Sequence, residues 1–338
     1  MKEEGIMKKK FIINQNPSFW KNKLSDKEFE VLINSGTDMA FDNKYYNNKK
    51  KGIYICAACN NVLFNSTDKY KSGSGWPSFN NVIFSDGVGT RSDHKLAQER
   101  TETYCNRCGA HLGHLFSDGP EPTGLRYCIN SSSLKFLKNA CLALGCFWSP
   151  DAKFGSLEGV YFTATGYTGG DKKNPSYHNL GNHTETVRIY FDPEVITFKD
   201  LLEVFLGKHV PSKKSYSKQY SSIIFYDSSG QKNVASDFLT KKKKVSDTKI
   251  YTEIKELKTF YEAEDYHQNY FLSQHSLMSA FRNSLLDSGE RLTYSRIMTK
   301  LNAYCQGCLE KEVILQELDF SYLKLKNTKL IKQILNKL

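Results

Sequence analysis

Leu142-Ala143-Leu144-Gly145-Cys146-Phe147-Trp148-Ser149-Pro150-Asp151 is an apolar run that breaks at a glycine, presents a cysteine and two aromatic rings, and restarts as a helix. The apolar residues ahead of Gly145 read as the end of a buried strand. Ser149 and Pro150 form a helix-start signature, with serine at the N-cap and proline at the first helical position. Cys146 is thus expected where a strand end faces a helix N-terminus, whose partial positive charge favours a thiolate. Strand, turn and helix in that order define an α/β unit. The same texture continues downstream in the helical pattern Phe198, Leu201, Leu202, Phe205, the strand 184–191 and a helical stretch over 262–286. Residues 138–310 are expected to form a two-layer α/β (α+β) domain. Residues 311–338 are read as an amphipathic helical tail, with Leu330, Ile331, Ile334, Leu335 and Leu338 on one face and lysines opposite.

Upstream the texture differs. Short strand-like runs at 52–56, 82–84 and 125–129 are separated by Gly, Asn and Ser, so residues 1–137 are expected to form a mainly antiparallel β domain. The expected class is multidomain, which a length of 338 residues supports, since one domain typically takes roughly 100–200.

Composition narrows the function classes. The apolar fraction is 39 %, and no apolar run approaches the ~18 residues of a membrane span. No secretory apolar core is visible near the start, which favours a cytoplasmic location. A formal charge of +11 comes mainly from lysines dispersed among acids and asparagines. That pattern lacks the basic stripe of a nucleic-acid binder, and neither nucleic acid nor membrane is expected as a partner. Nine cysteines, an odd number, point to metal and catalytic thiols rather than a disulfide framework.

Cys56-Ala57-Ala58-Cys59 and Cys105-Asn106-Arg107-Cys108 are two Cys-x-x-Cys hairpins whose four thiolates can close a tetrahedral cage around one structural Zn²⁺. A redox dithiol or paired disulfides are the alternatives. On the strand 125–129, alternation puts Arg126, Cys128 and Asn130 on one face, so the cysteine shares its side with a cation and an amide. On the strand 184–191, Glu185 shares its face with Val187, Ile189 and Phe191, where desolvation raises a carboxyl pKa and keeps a proton available near neutral pH.

Three further stretches surround the first thiol: Ser72-Gly73-Ser74-Gly75-Trp76-Pro77-Ser78-Phe79, His111-Leu112-Gly113-His114-Leu115-Phe116 and Gly124-Leu125-Arg126-Tyr127-Cys128-Ile129-Asn130. With the cysteine hairpins, they resemble B-type methionine sulfoxide reductases over residues 19–137. The resemblance implies that Cys128 attacks sulfur, that Trp76 packs on the substrate methyl, and that His111, His114 and Asn130 line the pocket. Arg126 is assigned to the same pocket. Ser74 occupies a position that often carries the recycling cysteine in that family.

The second half carries Gly145-Cys146-Phe147-Trp148, Gly166-Tyr167-Thr168-Gly169-Gly170, Asn174-Pro175-Ser176-Tyr177, His183-Thr184-Glu185, Gln219-Tyr220 and Ala263-Glu264-Asp265-Tyr266-His267-Gln268. Over residues 138–275 these resemble A-type methionine sulfoxide reductases. The resemblance implies Cys146 as nucleophile, Glu185 as acid, Phe147 and Trp148 as a methyl box, and Tyr177 and Tyr220 as donors to the sulfoxide oxygen. It departs from the pattern at Ser215, where an acid is usual, and lacks the usual recycling cysteine soon after the Tyr-His-Gln stretch.

These resemblances imply one enzyme for each sulfoxide epimer, R in the first domain and S in the second, acting on oxidised proteins or free methionine sulfoxide through a cysteine sulfenic acid. Thioredoxin or a similar thiol donor is the expected reductant. Cys305 and Cys308, in Cys305-Gln306-Gly307-Cys308, are the recycling candidates, since a helical pattern over 295–304 ends there and Gly307 can break it. Cys141 lies on a core strand and is read as inert. A zinc-containing nucleic-acid binder and a thiol sensor without turnover are the rival classes.

Overall fold

The computed structural model describes residues 11–13, 15–94, 99–245, 249–275, 279–287, 289–320 and 336. The chain divides between Phe136 and Leu137 into two compact units.

In the first unit, helix α1 (Pro17–Lys23) starts where Asn16 accepts the Phe19 N–H, and α2 (Asp26–Leu32) starts on a capping box of Ser25 and Glu28. Strands β1 (Ile53–Cys56) and β2 (Val62–Asn65) form an antiparallel pair. The main sheet comprises β3 (Lys69–Tyr70), β4 (Ser78–Phe79), β5 (Val88–Asp93), β6 (Arg100–Cys105), β7 (His111–Phe116) and β8 (Arg126–Ile129). Its order is β3-β4-β8-β7-β6-β5, antiparallel throughout. Tyr54, Phe64 and Phe79 are fully buried, and Phe64 stacks on Phe79 at 4.4 Å. The run 82–84 is not a strand, contrary to expectation. The Asn81 side chain takes the Val82 N–H and Ile83 N–H bonds to the Leu63 carbonyl, so the segment lies as a loop against β2.

Strand β9 (Leu134–Leu144) leads into the second unit, which contains α3 (Trp148–Gly155), β10 (Val160–Thr168), β11 (Thr184–Phe191), α4 (Phe198–Gly207), β12 (Ser222–Tyr226), α5 (Ser229–Val245), β13 (Glu253–Glu256) and β14 (Tyr261–Glu262). Helices α6 (Tyr270–Gln274), α7 (Ser279–Asp287), α8 (Arg296–Cys305) and α9 (Lys311–Phe320) follow. The sheet order is β13-β12-β9-β11-β10-β14, with only the β12–β13 pair parallel. Leu142, Val187, Ile189 and Phe191 from the sheet pack with Phe198, Leu201, Leu202 and Phe205, the face expected of α4.

The stretch 262–286 is not one helix. Gln268 is buried with its amide bonded to both the N–H and carbonyl of Thr165 and to the carbonyl of Ala263, which stitches the segment to β10. Asn269 then takes a left-handed conformation, and helix begins only at Tyr270. Tertiary hydrogen bonds thus override the local period. No described helix is long and apolar enough to cross a membrane. The apolar face expected at Leu330, Ile331, Ile334, Leu335 and Leu338 lies outside the described residues.

Candidate active sites and metal centre

The two cysteine hairpins adopt the same local form. In each, the first cysteine's carbonyl accepts the N–H of the residue four positions on, Asn60 or Gly109. Both of these take positive φ, 61° and 76°. At Gly109 an added side chain would also strike the Phe11 ring. The four sulfurs converge within 4.8 Å of one another, with Cys59 and Cys105 at 3.5 Å and Cys56 and Cys108 at 3.9 Å. A tetrahedron of thiolates around Zn²⁺ at about 2.3 Å has edges of roughly 3.8 Å. The cluster therefore has the donor set, spacing and burial to hold a metal ion.

Cys128 sits on β8 opposite Ser78 of β4 and His114 of β7. Its sulfur is 3.7 Å from the Ser74 hydroxyl. That hydroxyl belongs to a cluster with Ser72 and Ser78, with Ser72 2.9 Å and 2.7 Å from its two neighbours. Ser72 and Ser78 lie in a recognised motif, but nothing in their spacing marked them as neighbours of the thiol. Arg126 shares the face of Cys128 as expected, but its guanidinium is bound at both ends to Asp118, at 2.7 and 2.9 Å. Burial outweighs the help from Ser74 and Arg126, so the Cys128 thiol lies above its ordinary value rather than below it.

Two carboxylate–histidine pairs stand beside Cys128. Glu102 accepts from His111 Nδ1 at 2.7 Å and from Arg91 at 2.6 and 2.9 Å. Burial alone would raise Glu102, but these partners together hold it down at about 2. Asp93 bonds to His114 Nε2 at 2.8 Å and accepts from Arg100 at 2.7 Å. Burial lowers the His114 imidazole against the pull of Asp93. The rings of the two histidines are 5.5 Å apart, and His111 Nε2 is buried without a hydrogen-bond partner. Asp93 and Glu102 went unrecognised in the sequence; Glu102 is on the strand next to the histidine strand, and Asp93 is on the strand beyond it.

Trp76 is held by its Nε1 donating to the Asp38 carbonyl at 2.9 Å. Asn130 differs from expectation. It is buried, its Oδ1 accepts the Asp38 N–H and its Nδ2 donates to the Leu112 carbonyl, so its amide supports the loop under Trp76. It lies past the end of β8, where strand alternation no longer governs its direction.

In the second unit, Gly145 takes φ +99° and turns the chain out of β9 so that Cys146 is exposed. Helix α3 begins at Trp148 with Phe147 at its N-cap, not at Pro150 with Ser149 as the cap. The reason is visible in the bonds. Glu185 accepts the Phe147 N–H at 3.1 Å, while the Ser149 hydroxyl accepts from Gln306. Although the residue is exposed, partial desolvation of its side chain is the chief cause that lifts the Cys146 thiol above its ordinary value, with the Trp148 N–H opposing and the Glu185 charge adding to the rise. The helix N-terminus thus moderates the shift without reversing it.

Glu185 is 1 % exposed, between Phe147 N–H and the Gln219 amide, which donates at 2.7 Å. Burial raises its carboxyl above the usual range, and the two donors only partly offset that. Tyr220, bonded by Gln219 at 3.3 Å, also meets the Tyr177 hydroxyl. Phe147 is buried, and Trp148 stacks on Tyr270 at 3.8 Å with the rings 5° from parallel. Trp148 Nε1 donates to His267 at 3.1 Å, and Tyr177 lies 4.7 Å from that imidazole. Glu264 accepts from the Tyr177 N–H and the Tyr167 hydroxyl. The motifs containing Gln219, Glu264 and His267 were visible in the sequence, but their roles as supports were not, and Tyr270 was missed.

Cys305 ends α8, one residue beyond the expected helix, and Gly307 at φ +75° reverses the chain, as Gly307 and Cys308 N–H groups bond to the Tyr304 and Ala303 carbonyls. Burial pushes the Cys305 thiol up to about 12. Cys308 donates to Gln306 Oε1 at 3.1 Å, and the same amide donates to Ser149. Cys141 is buried on β9 and its thiol is raised by burial.

Both halves of the chain match known protein families. A SelR domain matches residues 24–138, and the peptide methionine sulfoxide reductase domain matches residues 138–292. The peptide methionine sulfoxide reductase MsrB of Leptospira interrogans serogroup Icterohaemorrhagiae serovar Lai is 52 % identical over 126 residues, 37 % of this chain and 96 % of the relative. That of Methanosarcina mazei is also 52 % identical over 126 residues, 37 % of this chain and 90 % of the relative. The methionine sulfoxide reductase A of Corynebacterium diphtheriae aligns with TM-score 0.37 at 26 % identity, covering 41 % of this chain and 75 % of that one. Each unit holds a cysteine near acid or imidazole groups, and each matches a methionine sulfoxide reductase domain. The chain belongs to that family as a fused enzyme, an MsrB domain followed by an MsrA domain, and carries both the R-epimer and S-epimer reductase activities.

Proposed function

We propose that both domains work through a cysteine sulfenic acid, Cys128 on the R epimer and Cys146 on the S epimer, on methionine sulfoxide free or within oxidised proteins. The observation that carries the reading is the buried Glu185 carboxyl bound to the N–H of the residue after Cys146. The Cys146 thiolate attacks the sulfoxide sulfur while Glu185 gives its proton to the oxygen. The hydroxyl then passes from the methionine sulfur to Cys146 as the transient S–S bond breaks, so methionine leaves, Cys146 becomes S–OH and Glu185 is left ionised. Tyr177 and Tyr220 hydroxyls orient the oxygen, and Phe147 and Trp148 receive the methyl. In the first domain His111 is the proton donor, acting as the doubly protonated ring: Nδ1–H stays on anionic Glu102, and Nε2, which has no other partner, delivers its proton to the oxygen. Trp76 receives the methyl, with His114, Arg126 and Asn130 supporting the pocket.

The four-cysteine cluster holds one structural Zn²⁺. Metal analysis of the reduced protein is expected to give one zinc per chain. Cys59→Ser is expected to lose it and unfold the first domain, since structural zinc contributes about 10–16 kcal/mol of apparent binding energy in small zinc-dependent folds. Full R-epimer activity in zinc-free protein would contradict this.

Recycling of Cys146 falls to the tail pair. Cys308 attacks the sulfenic sulfur, releasing water and forming a disulfide, which Cys305 and then thioredoxin or a similar dithiol reduce by exchange. Cys308 is the first attacker because it is bonded to Gln306, whose amide is bonded in turn to Ser149, three residues after Cys146. Ser74 cannot resolve Cys128, so an external thiol does so, approaching by the groove that Tyr70, Lys71, Ser74, Asp118 and Arg126 line. The double variant Cys305→Ser, Cys308→Ser is expected to lose thioredoxin-driven S-epimer turnover and keep dithiothreitol-driven turnover. Unchanged thioredoxin-driven turnover would remove both cysteines from the mechanism. The domains are 1–137 and 138–310 followed by a tail over 311–338, and the enzyme is cytoplasmic.

A further inference from the structure

Helix α8 lies beyond the residues that match either family domain, yet it grips the helix that starts beside Cys146 along its whole length. At one end Lys300 is 2 % exposed and donates to the Gly155 and Leu157 carbonyls, both at 2.8 Å, satisfying groups that the end of α3 leaves open. The two helices approach so closely there that a side chain at Gly155 would strike Thr299. At the other end Gln306 donates to Ser149. Between them is Asn302, 1 % exposed, with both ends of its amide in use. Its Nδ2 donates to Asp151 Oδ2 at 2.9 Å, and its Oδ1 accepts the Leu272 N–H at 3.1 Å.

Those two partners belong to the two segments that carry the stacked rings of Trp148 and Tyr270. Asp151 is fully buried in the first turn of α3, and its own N–H bonds to the Phe147 carbonyl at 2.9 Å, so its carboxyl is fixed to the turn that carries Phe147 and Trp148. Leu272 lies two residues after Tyr270, the ring stacked on Trp148. We infer that Asn302 is a positioning residue for S-epimer reduction, a joint that fixes the nucleophile helix to the Tyr270 segment and so sets the spacing of the Trp148–Tyr270 stack. The inference rests on the reading of Cys146 and Trp148 as the site of attack and methyl binding. It extends the working domain past residue 292, because the aromatic wall is correctly placed only with α8 docked.

The pair offers an exchange test. Asn302→Asp keeps an acceptor for Leu272 but sets two carboxyls against each other, whereas Asn302→Asp with Asp151→Asn restores a donor–acceptor pair and leaves the Leu272 bond intact. In a dithiothreitol-driven assay, Asn302→Asp is expected to lower S-epimer kcat/KM by about 10–100-fold. Most of that loss should appear in KM, and the exchanged pair should return to within about threefold of the parent. R-epimer reduction by Cys128 in the same chain serves as the control and should not change. Titration of Cys146 with a thiol reagent counts competent sites. A merely structural role for Asn302 would lower that count and kcat together while KM stayed constant, and would overturn the inference. So would wild-type kinetics in Asn302→Asp, or an exchanged pair that stays impaired, folded or not. Failure of the underlying site reading would appear separately, as S-epimer turnover surviving in Cys146→Ser.

Discussion

Cys146→Ser is expected to abolish S-epimer reduction, by on the order of 10⁴–10⁶-fold as for other removed nucleophiles, while R-epimer reduction continues at its parent rate. Cys128→Ser should do the reverse. The expectation follows from the independent sets of groups that serve each sulfur. Cys128 has Ser74, Arg126 and the His111–Glu102 and His114–Asp93 pairs, all from the first unit. Cys146 has Glu185, Gln219, Tyr177 and Tyr220, all from the second. A hydroxyl in place of either thiol is a far weaker nucleophile toward sulfur. The measurement is release of methionine from each resolved epimer with dithiothreitol as reductant, so that thioredoxin recycling does not enter. Loss of both activities from one substitution in a folded chain would show that the sites are not independent.

The sulfur atoms were the most legible part of this protein. Cysteine positions are discrete, and Cys-x-x-Cys pairs or a cysteine between a strand and a helix carry their chemistry in the spacing itself. The strand 184–191 was equally plain, because one carboxyl interrupts an otherwise apolar face at Glu185. Less legible was anything set by a bond from another element. Ser149 and Pro150 form a good helix-start signal, yet Glu185 and Gln306, distant in sequence, take the relevant donors and acceptors and move the start to Trp148. The periodic stretch 262–286 reads as one helix until the buried amide of Gln268 is seen bonded across to β10. Asn130 falls on the face of Cys128 by alternation, but the strand ends before it and its amide turns to Asp38 and Leu112.

The thiol environments carry a related lesson. A helix N-terminus beside Cys146 and a guanidinium beside Cys128 both favour thiolate, and both act as expected in sign. Each is outweighed by burial, and at Cys128 the guanidinium is also bound to Asp118. The resting enzyme therefore keeps both sulfurs largely protonated near neutral pH. On the proposed mechanism, thiolate becomes favourable when its developing bond to the sulfoxide sulfur coincides with proton delivery to the oxygen, which would place the proton donor at the centre of catalysis.

Glu185→Gln tests that donor directly. The amide keeps the size of the side chain and can still accept the Phe147 N–H, but it has no acidic proton to give. Single-turnover release of methionine from the S epimer is expected to fall by about 10²–10⁴-fold, with a much smaller change in substrate binding, because the proton is needed mainly in the transition state. The pH profile separates this from simple damage. Burial places the Glu185 carboxyl above its ordinary value and the Cys146 thiol above its own, so the reactive form, acid protonated and thiol ionised, is a minority species. In the parent enzyme kcat/KM should rise with pH while the thiolate fraction grows. It should level off once pH passes the Glu185 pKa, where each gain in thiolate is cancelled by a loss of protonated acid, and fall only above the Cys146 pKa. In the glutamine variant the cancelling group is gone, so the residual rate should keep climbing across the parent's plateau until Cys146 is fully ionised. A variant profile that levels off at the same pH as the parent would assign the plateau to another group and remove Glu185 from the role of acid.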